Sequence, residues 1–250
     1  MAALNSRPDK KHFITTRVEH PAVLSLGQYL EKKGYSVTFL NVDTKGRIDL
    51  EELSAAITKD TALVSVMYAN NETGNIYPVR EIGEICREKG VLFHVDAVQA
   101  VGKIPMDMAS LPIDYLALSG HKLHAPKGVG ALYVRRGAPF RPFLRGGHQE
   151  RGRRAGTEAV PNLVALGAAC ELAGRHIEEE NTKVRPWRST LKHSLIETIT
   201  KATINGKHEY PITNNSIILY KTVEGEHILY KLDQFVTCDT TGKAGTLGGL

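Results

Sequence analysis

One short stretch of the chain carries the residue types needed for amine chemistry. Tyr115–Leu118 is an apolar segment that predicts a buried strand, and the sequence Ser-Gly-His-Lys of residues 119–122 follows it directly. In open α/β sheets, ligands bind outside the carboxyl ends of the strands. A lysine delivered there, beside apolar walls, can lose its proton and act as a nucleophile. We therefore predict that Lys122 forms a Schiff base with pyridoxal phosphate (PLP).

Other predicted strand ends carry side chains that suit this cofactor. Asp96 can pair with the nitrogen of the pyridine ring and keep it protonated, so that the ring draws electrons. His20 offers a flat ring that can stack on the cofactor, and Asn71 and Gln99 can donate hydrogen bonds to its phenolic oxygen. Each of these residues alone is more typical of a cap, a turn or a solvated surface. The PLP hypothesis therefore depends on their occurring together at strand ends.

The phosphate of the cofactor needs short hydroxyl and imidazole donors, and Ser119 and His121 supply them beside the lysine. A metal site is the alternative interpretation of the histidines, since His94 and Asp96 could join His121 and His124. We disfavour it because no Glu or Cys completes a familiar ligand spacing. The sequence therefore predicts a cofactor site without a metal.

Strands and helices alternate along most of the chain, which predicts an α/β protein with a largely parallel sheet. The predicted strands are Thr15–Val18, Ser36–Val42, Ala62–Met67, Val91–Val95, Tyr115–Leu118, Gly130–Val134 and Ile217–Tyr220. The predicted helices run from Pro21 to Gly34, from Asp49 to Ile57, from Pro78 to Lys89, over Ala97–Ala100, over Leu163–Glu180, over Trp187–Ile199 and over Glu224–Leu232. The segment from Val236 to Leu250 is predicted to be a loop.

Composition excludes some classes of protein. Of 250 residues, 42% are hydrophobic and 24% charged, which is typical of a soluble globular protein. No apolar run reaches the roughly 18 residues of a membrane span, and the first residues lack an apolar signal core. The three cysteines, Cys86, Cys170 and Cys238, are odd in number and far apart, so we expect a reducing compartment, the cytoplasm, and no disulfides. We place Cys86 and Cys170 on helix faces as packing residues.

Positive charge is concentrated between Arg135 and Arg154, where seven arginines are interspersed with glycines. This segment is predicted to be either a solvated loop or a contact with an anion or a second subunit. Phe140 and Phe143 are its only aromatic residues, too few for a platform that stacks nucleic-acid bases. We therefore expect no nucleic-acid partner, although the net charge of +5 permits one.

Several segments carry a family resemblance. The sequence resembles the NifS-type cysteine desulfurases of the class V aminotransferase group of PLP enzymes, and most of all the nitrogen-fixation type. The segments are Val18–Val23, Asn70–Gly74, His94–Gln99, Ser119–Lys122, His124–Gly130 and Gly146–Glu158. The similarity runs from about Lys11 to Asp239 and is most specific up to Leu172.

The resemblance implies a fold and two domains. The fold would be the aspartate aminotransferase-like fold type I of PLP-dependent transferases, with a mostly parallel sheet flanked by helices in the large domain. Residues 1–172 would form this PLP-binding domain without its N-terminal portion, and residues 173–250 part of a small α+β domain. The resemblance assigns the residues named above the same roles and adds proton transfer at Lys122 and His20. Thr157 would reach the phosphate in the other subunit of a homodimer.

The activity implied by the resemblance is the conversion of L-cysteine to L-alanine. In this family a protein cysteine takes the sulfur as a persulfide and passes it to an iron–sulfur scaffold or another acceptor. The matching loop here is Thr241–Gly245, where Gly245 stands at the position of the nucleophilic cysteine and Cys238 lies nearby. The family's Gly-Thr-Glu phosphate-binding turn and its substrate-binding C-terminal arginine would lie outside this chain.

Two further functional hypotheses remain open from the sequence. One is another reaction of the same PLP group, such as selenocysteine lyase or an aminotransferase-like step. The other is a non-catalytic protein that dimerises or binds a partner through the segment from Arg135 to Arg154. Uptake of the cofactor at Lys122 separates the enzymatic hypotheses from the non-enzymatic one.

Overall fold

The structure, a computed structural model, describes residues 1–204, 212, 214–220, 223 and 225–236. Its strands are β1 (His12–Thr16), β2 (Ser36–Leu40), β3 (Thr61–Met67), β4 (Leu92–Asp96), β5 (Tyr115–Ser119), β6 (Gly130–Val134), β7 (Ala202–Ile204) and β8 (Ile218–Tyr220). Its helices are α1 (Ala2–Asn5), α2 (Pro21–Lys32), α3 (Leu50–Ala56), α4 (Val79–Glu88), α5 (Gln149–Gly152), α6 (Val160–Thr198) and α7 (Gly225–Leu232). A 3-10 turn, Gly120–Leu123, follows β5.

Six strands form the main sheet in the order β2-β1-β3-β4-β5-β6. All neighbouring pairs are parallel except β5 and β6, which are antiparallel. Met67 pairs with Asp96 across β3 and β4, and Asp96 pairs with Ala117 across β4 and β5. The predicted α/β architecture with a largely parallel sheet is therefore confirmed.

Side chains of the central strands pack on both faces of the sheet. On one face, Val64 and Phe93 pack against Leu53 of α3 and Ile82 of α4. On the other face, Leu63, Leu92 and Tyr115 pack with α1 and α2. β3 is buried along its whole length, as expected for a central parallel strand covered on both faces.

Local sequence signals fix the helix ends close to the strands. Pro21 lies in the first turn of α2, where its missing N–H costs nothing, and Gly34 follows the helix at φ 79°. Asp49 caps α3 by accepting hydrogen bonds from the backbone N–H groups of Glu51 and Glu52 at 2.8 and 3.1 Å. These helix boundaries agree with the sequence-based predictions.

The prediction of two helices over 163–180 and 187–199 is wrong, because α6 is continuous through Pro186. Hydrogen bonds to other parts of the chain anchor α6 on both sides of the proline. Before it, the Asn181 amide donates to the carbonyl of Lys103, and after it Arg188 donates to the carbonyl of Ile212.

Two other predictions concern segment bounds. Ala97–Ala100, predicted as a short helix, is a turn. The proposed domain boundary at 172/173 lies within α6 and stays a prediction.

The remaining described elements are a two-stranded sheet and one further helix. β7 and β8 pair antiparallel with Ala202 opposite Tyr220, and α7 follows. β7 was not predicted from the sequence. In α6 the buried residue is Leu166, which packs with Ala125 and Val129 behind the 3-10 turn. This contact connects the long helix to the loop that carries Lys122.

Candidate functional site

Four adjacent strands deliver the predicted site residues to one edge of the sheet. β1, β3, β4 and β5 are neighbours and run parallel, so their carboxyl ends lie side by side. His20 follows β1, Asn71 follows β3, Asp96 ends β4 and Ser119 ends β5. The structure therefore brings together at this edge the strand-end residues that the sequence singled out.

Asp96 is a buried carboxyl group, 9% exposed, at the centre of this edge. Its Oδ1 accepts a hydrogen bond from the backbone N–H of Val98 at 3.0 Å. Among the described residues, its Oδ2 accepts no hydrogen bond. Burial raises the pKa of Asp96, while the Val98 N–H and the nearby His20 oppose the rise. Asp96 thus offers one carboxylate oxygen to a cationic partner in a desolvated position.

His20 is the N-cap of α2 and remains exposed. Its Nδ1 accepts a hydrogen bond from the backbone N–H of Ala22 at 3.1 Å. The proton of the neutral ring therefore lies on Nε2. The cap holds the imidazole at the helix start, close enough to Asp96 for the two groups to interact electrostatically.

Ser119 and His121 form a pair beside the lysine. The Ser119 hydroxyl lies 2.7 Å from Nδ1 of His121, so the two side chains share one hydrogen bond. Gly120 between them packs tightly: a Cβ added there would lie 3.0 Å from the carbonyl oxygen of Val129. The hydroxyl and imidazole are thus held together on a turn that leaves little room for a side chain at position 120.

Lys122 lies in the 3-10 turn and is exposed, which corrects the expectation of apolar walls around it. The physical reason is that the turn packs through the buried side chains of Leu123 and Ala125, whereas Lys122 stays exposed. Lys103 lies nearby: burial lowers the pKa of Lys103, and the charge of Lys122 lowers it further. Lys103 Nζ also donates a hydrogen bond to the side-chain oxygen, Oε1, of Gln99 at 2.8 Å. Among the described residues, the NH₂ of the same amide has no acceptor and can donate to a ligand.

Asn71 lies half-buried in the loop after β3, and among the described residues its side chain makes no hydrogen bond. Its neighbour Asn70 shapes the loop by accepting from the N–H groups of Glu72 and Thr73 at 2.9 and 2.8 Å. Asn215 supports the loop from outside by donating to the Glu72 carbonyl at 2.7 Å. The Asn71 amide is therefore placed on a braced loop and free to bind a ligand.

Sequence reasoning missed two residues of this region. Glu19, next to His20, is 4% exposed and bonded to the end of β3. Lys103 orients Gln99, and its spacing of four residues from Gln99 was the signal that could have found it. Thr16, one partner of Glu19, is three residues away, but the other partner, Met67, is 48 residues away, so the bridge between the strands leaves no local pattern.

Other predicted residues do not join the strand-end group. Thr157 lies on the exposed loop before α6, and its predicted role toward the phosphate of another subunit stays a prediction. Arg135 of the basic segment is structural, since its guanidinium donates to the carbonyls of Met108, Leu111 and Ile113. Cys238 and the loop Thr241–Gly245 lie outside the described residues.

Three findings bear on the remaining expectations from the sequence. Cys86 is buried and Cys170 packs near Leu166, in agreement with packing roles, and burial raises the pKa of the Cys86 thiol to about 12. Over residues 1–204 and the later described segments, no cluster of three or more His, Cys, Asp or Glu side chains could hold a metal ion. In the same part of the chain, no helix combines the length and apolarity needed to cross a lipid bilayer.

The donor set at the strand ends fits PLP. A pyridine nitrogen needs a carboxylate, and Oδ2 of Asp96 is without a partner among the described residues. A phosphate accepts hydrogen bonds, and Ser119 and His121 place a hydroxyl and an imidazole there, with one O–H or N–H hydrogen used in the bond between them. A phenolic oxygen accepts hydrogen bonds from amides, and the side-chain N–H groups of Asn71 and Gln99 have no acceptor within the part of the chain that the structure describes.

Comparisons with known proteins agree with this chemistry. The family model for aminotransferase class-V matches residues 1–243. A protein named cysteine desulfurase from Nostoc sp. (strain PCC 7120) is 53% identical over 249 residues, which is 100% of this chain and 62% of that protein. Cysteine desulfurase NifS from Azotobacter vinelandii is 49% identical over 250 residues, again 100% of this chain and 62% of the relative. The chain thus spans about three fifths of the length of the curated relatives it matches.

Solved structures of related proteins are also similar to this chain. A NifS-like protein superposes with a TM-score of 0.89 at 39% identity, covering 94% of this chain and 64% of the other. A structure described as SspA in complex with cysteine has a TM-score of 0.77 at 31% identity, covering 93% of this chain and 64% of the other.

Proposed function

Because the chain belongs to the aminotransferase class-V family, we propose that it binds PLP at the strand ends and acts on L-cysteine as a cysteine desulfurase. The observation that carries this proposal is the placement of a lysine, a buried carboxyl group and a hydroxyl–imidazole pair at adjacent parallel strand ends. The names of the relatives and the cysteine in the SspA complex support the choice of substrate.

Lys122, Asp96 and His20 would hold the reactive part of the cofactor and move protons there. When bound, PLP would draw electrons from the α-carbon of an amino acid. Lys122 Nζ would be the point of covalent attachment and would later carry the proton removed from the substrate α-carbon. Asp96 Oδ2 would hold the proton of the ring nitrogen. His20, held by its cap to Ala22, would present its ring to the cofactor.

The other residues would orient the cofactor. Ser119 Oγ and the imidazole of His121 would bind its phosphate. The amides of Asn71 and Gln99 would donate to its phenolic oxygen. Because Lys103 binds Oε1 of Gln99, the Nε2 group is the one that would face the cofactor. Because these donors stand on strand ends and short turns, little reorganisation would be needed on binding.

The overall reaction balances with an external thiol. L-Cysteine and a thiol RSH would give L-alanine and the persulfide RSSH: the C–S bond breaks, an S–S bond forms, and a hydrogen replaces sulfur on the β-carbon. The resemblance places Gly245 where the family has its cysteine, so we propose that the acceptor thiol comes from another molecule. An iron–sulfur scaffold protein is one such acceptor.

Cofactor binding is tested by visible absorption of the purified chain with added PLP, before and after borohydride. The expected result is a yellow band that borohydride removes, with the reduced cofactor mapped to Lys122 by peptide mass spectrometry. Lys122→Ala should abolish the band. Lys127→Ala is the matched control, because Lys127 is also exposed and lies five residues further along the chain. Absence of the band in folded wild-type chain would overturn the proposal.

The reaction is tested by measuring alanine from cysteine with and without dithiothreitol as the acceptor thiol. Alanine should form only when both PLP and thiol are present, and Lys122→Ala should not form it. Selenocysteine is the competing substrate, and a clear preference for it would replace cysteine desulfurase by selenocysteine lyase as the activity.

We also propose that a second copy of this chain is a partner. The support is an exposed apolar surface on α6, where Val160, Val164 and Leu172 are 59%, 67% and 56% exposed. Thr157 lies just before this surface, as its predicted role toward another subunit requires. Sedimentation of wild type should give a dimer and Val164→Glu a monomer; a monomeric wild type would contradict the proposal.

A further inference from the structure

Glu19 is a buried acid that the proposed chemistry does not use. It lies on the connection between β1 and α2, directly before His20, and is 4% exposed. A carboxyl group at such a depth is rare unless its oxygens are bonded. Its contacts therefore indicate what it does.

One carboxyl oxygen of Glu19 joins two strands. Its Oε1 accepts hydrogen bonds from the backbone N–H of Met67 at 2.8 Å and from the hydroxyl of Thr16 at 3.1 Å. Met67 is the last residue of β3, and Thr16 the last residue of β1. The side chain thus bridges the carboxyl ends of the strands that lead to Asn71 and His20.

This bridge connects β1 and β3 beyond the point where their backbone pairing ends. The paired residues of β1 and β3 end at Ile14 and Val64, before the end of either strand. On the other edge of β3, the N–H of Tyr68 donates to the carbonyl of Asp96 at 2.8 Å, so the Met67 N–H faces the β1 side. There Glu19 supplies the acceptor that a β1 carbonyl would otherwise provide.

We propose that Glu19 is a positioning residue of this site: its side chain ties the end of β1 to the end of β3 and thereby sets where His20 stands relative to Asp96. Removing the tie would leave the Met67 N–H without its acceptor. It would also free the segment that carries His20 from the sheet edge.

The protonation of Glu19 follows from the same contacts. Burial, and less strongly the charge of Asp96, raise the pKa of Glu19 to about 8, against the opposing hydrogen bonds from Met67 and Thr16. Because Oε1 already accepts two hydrogen bonds, the proton of the neutral acid lies on Oε2, which has no partner among the described residues. The other titratable group coupled to it is Tyr77, before α4, whose pKa the charge of Glu19 raises further. At neutral pH, Glu19 therefore bridges the strands as an uncharged acid.

The test compares Glu19→Gln, Glu19→Leu and wild type in the apo chain by NMR. Glutamine keeps the acceptor of the bridge and mimics the neutral acid, whereas leucine fills the space without an acceptor. Met67 amide exchange should stay within about 3-fold of wild type in Glu19→Gln and rise ~10–100-fold in Glu19→Leu. Glu31→Gln, an exposed change on α2, is the matched control and should alter nothing.

A pH titration keeps the proposal falsifiable if the leucine variant does not fold. In wild type the signals of His20 and Asp96 should shift in a step near pH 8, and this step should be absent in Glu19→Gln. A step that persists in Glu19→Gln, or unchanged Met67 exchange in Glu19→Leu, would overturn the proposal.

The inference rests on the proposed function only for the identity of the ligand. If PLP binds, its affinity at neutral pH should change less than about 3-fold in Glu19→Gln and fall at least ~10-fold in Glu19→Leu. If wild type takes up no PLP, the proposed function fails, while the NMR measurements still decide the role of Glu19.

Discussion

The sheet and the long helix bury their side chains to very different extents. All seven residues of β3 are buried, and its neighbours Phe13 and Phe93 are fully enclosed. In the 39 residues of α6, by contrast, Leu166 is the buried residue, and Trp187 is 69% exposed. The sheet is held by its own apolar contacts, whereas the helix presents most of its surface to other partners or to solvent.

Four residues of the proposed site stand at the ends of the buried strands, whereas Lys122 lies on a 3-10 turn that is followed by residues packed against Leu166 of α6. The His20, Asn71, Asp96 and Ser119 positions follow strands whose inner residues are enclosed. Their arrangement should therefore persist when the helix is perturbed. A chemical site built on the ends of buried strands is protected from changes in the layer around it.

The largest expected contrast comes from the same substitution in the two regions. Phe93→Ala removes a ring that is 0% exposed, and should lower the free energy of unfolding by about 3–5 kcal/mol. Phe235→Ala removes a ring that is 83% exposed and should change it by less than about 0.5 kcal/mol. Urea denaturation followed by circular dichroism measures both. Equal losses would remove the distinction between the regions.

A pH-dependent contrast comes next and tests the burial of β4. Burial, with a smaller contribution from the terminal ammonium group, lowers the pKa of His94 from 6.5 to about 4. Because the folded pKa lies below the unfolded one, His94 contributes stability that is present above pH 6.5 and is lost as pH falls through 4. The expected loss is about 1–3 kcal/mol.

His94→Gln should abolish this part of the acid loss, which urea denaturation between pH 4 and 7 would measure. The matched control is His227→Gln, the same change at an exposed position on α7, which should leave the acid loss in place. An unaltered acid slope in His94→Gln would show that another group is responsible.

A smaller destabilisation is expected where α4 meets the loop before β5. A Cβ at Gly83 would collide with the backbone carbonyl oxygen of Pro112, which cannot move as a side chain can. Gly83→Ala should therefore cost about 1–3 kcal/mol of unfolding free energy through overpacking. Thermal denaturation would measure the cost, and unchanged stability would contradict the close packing of α4 on the sheet.

The smallest effect has the opposite sign and lies on α6. Gly167 is exposed, and a Cβ added there meets no atom within 4 Å. Gly167→Ala should raise the free energy of unfolding by about 0.5–1 kcal/mol, because alanine loses less backbone freedom in a helix. A destabilised variant would mean that the second copy proposed above covers Gly167, and the contrast with the sheet would no longer hold at that position.

The central strands and the strand-end residues were predictable from the sequence, because apolar runs that stop at polar residues carry both kinds of information. The bounds of β1 were less accessible. It begins at His12, three residues before the predicted start, since hydroxyls of Thr61 and Thr38 satisfy both nitrogens of this buried histidine. Pairing across strands decides such a boundary, and it leaves no local pattern.

The same reason explains what was missed in the site. The continuity of α6 through Pro186 depends on distant contacts of Asn181 and Arg188, whereas proline alone predicts a break. The role of Glu19 depends on its hydrogen bond from the backbone N–H of Met67, 48 residues away in sequence. The exposure of Lys122 likewise follows from how its turn packs, which the motif does not encode.

The antiparallel pairing of β5 and β6 has a consequence for the order of folding. These strands join residues close in sequence, with Ser119 opposite Gly130, whereas β1 and β3 pair His12 with Thr61. Local contacts cost less loop entropy and form faster than parallel pairings across long crossovers. We therefore expect the hairpin that encloses Lys122 to nucleate first, so that the loop carrying the lysine takes shape before the strands that bring it its partners.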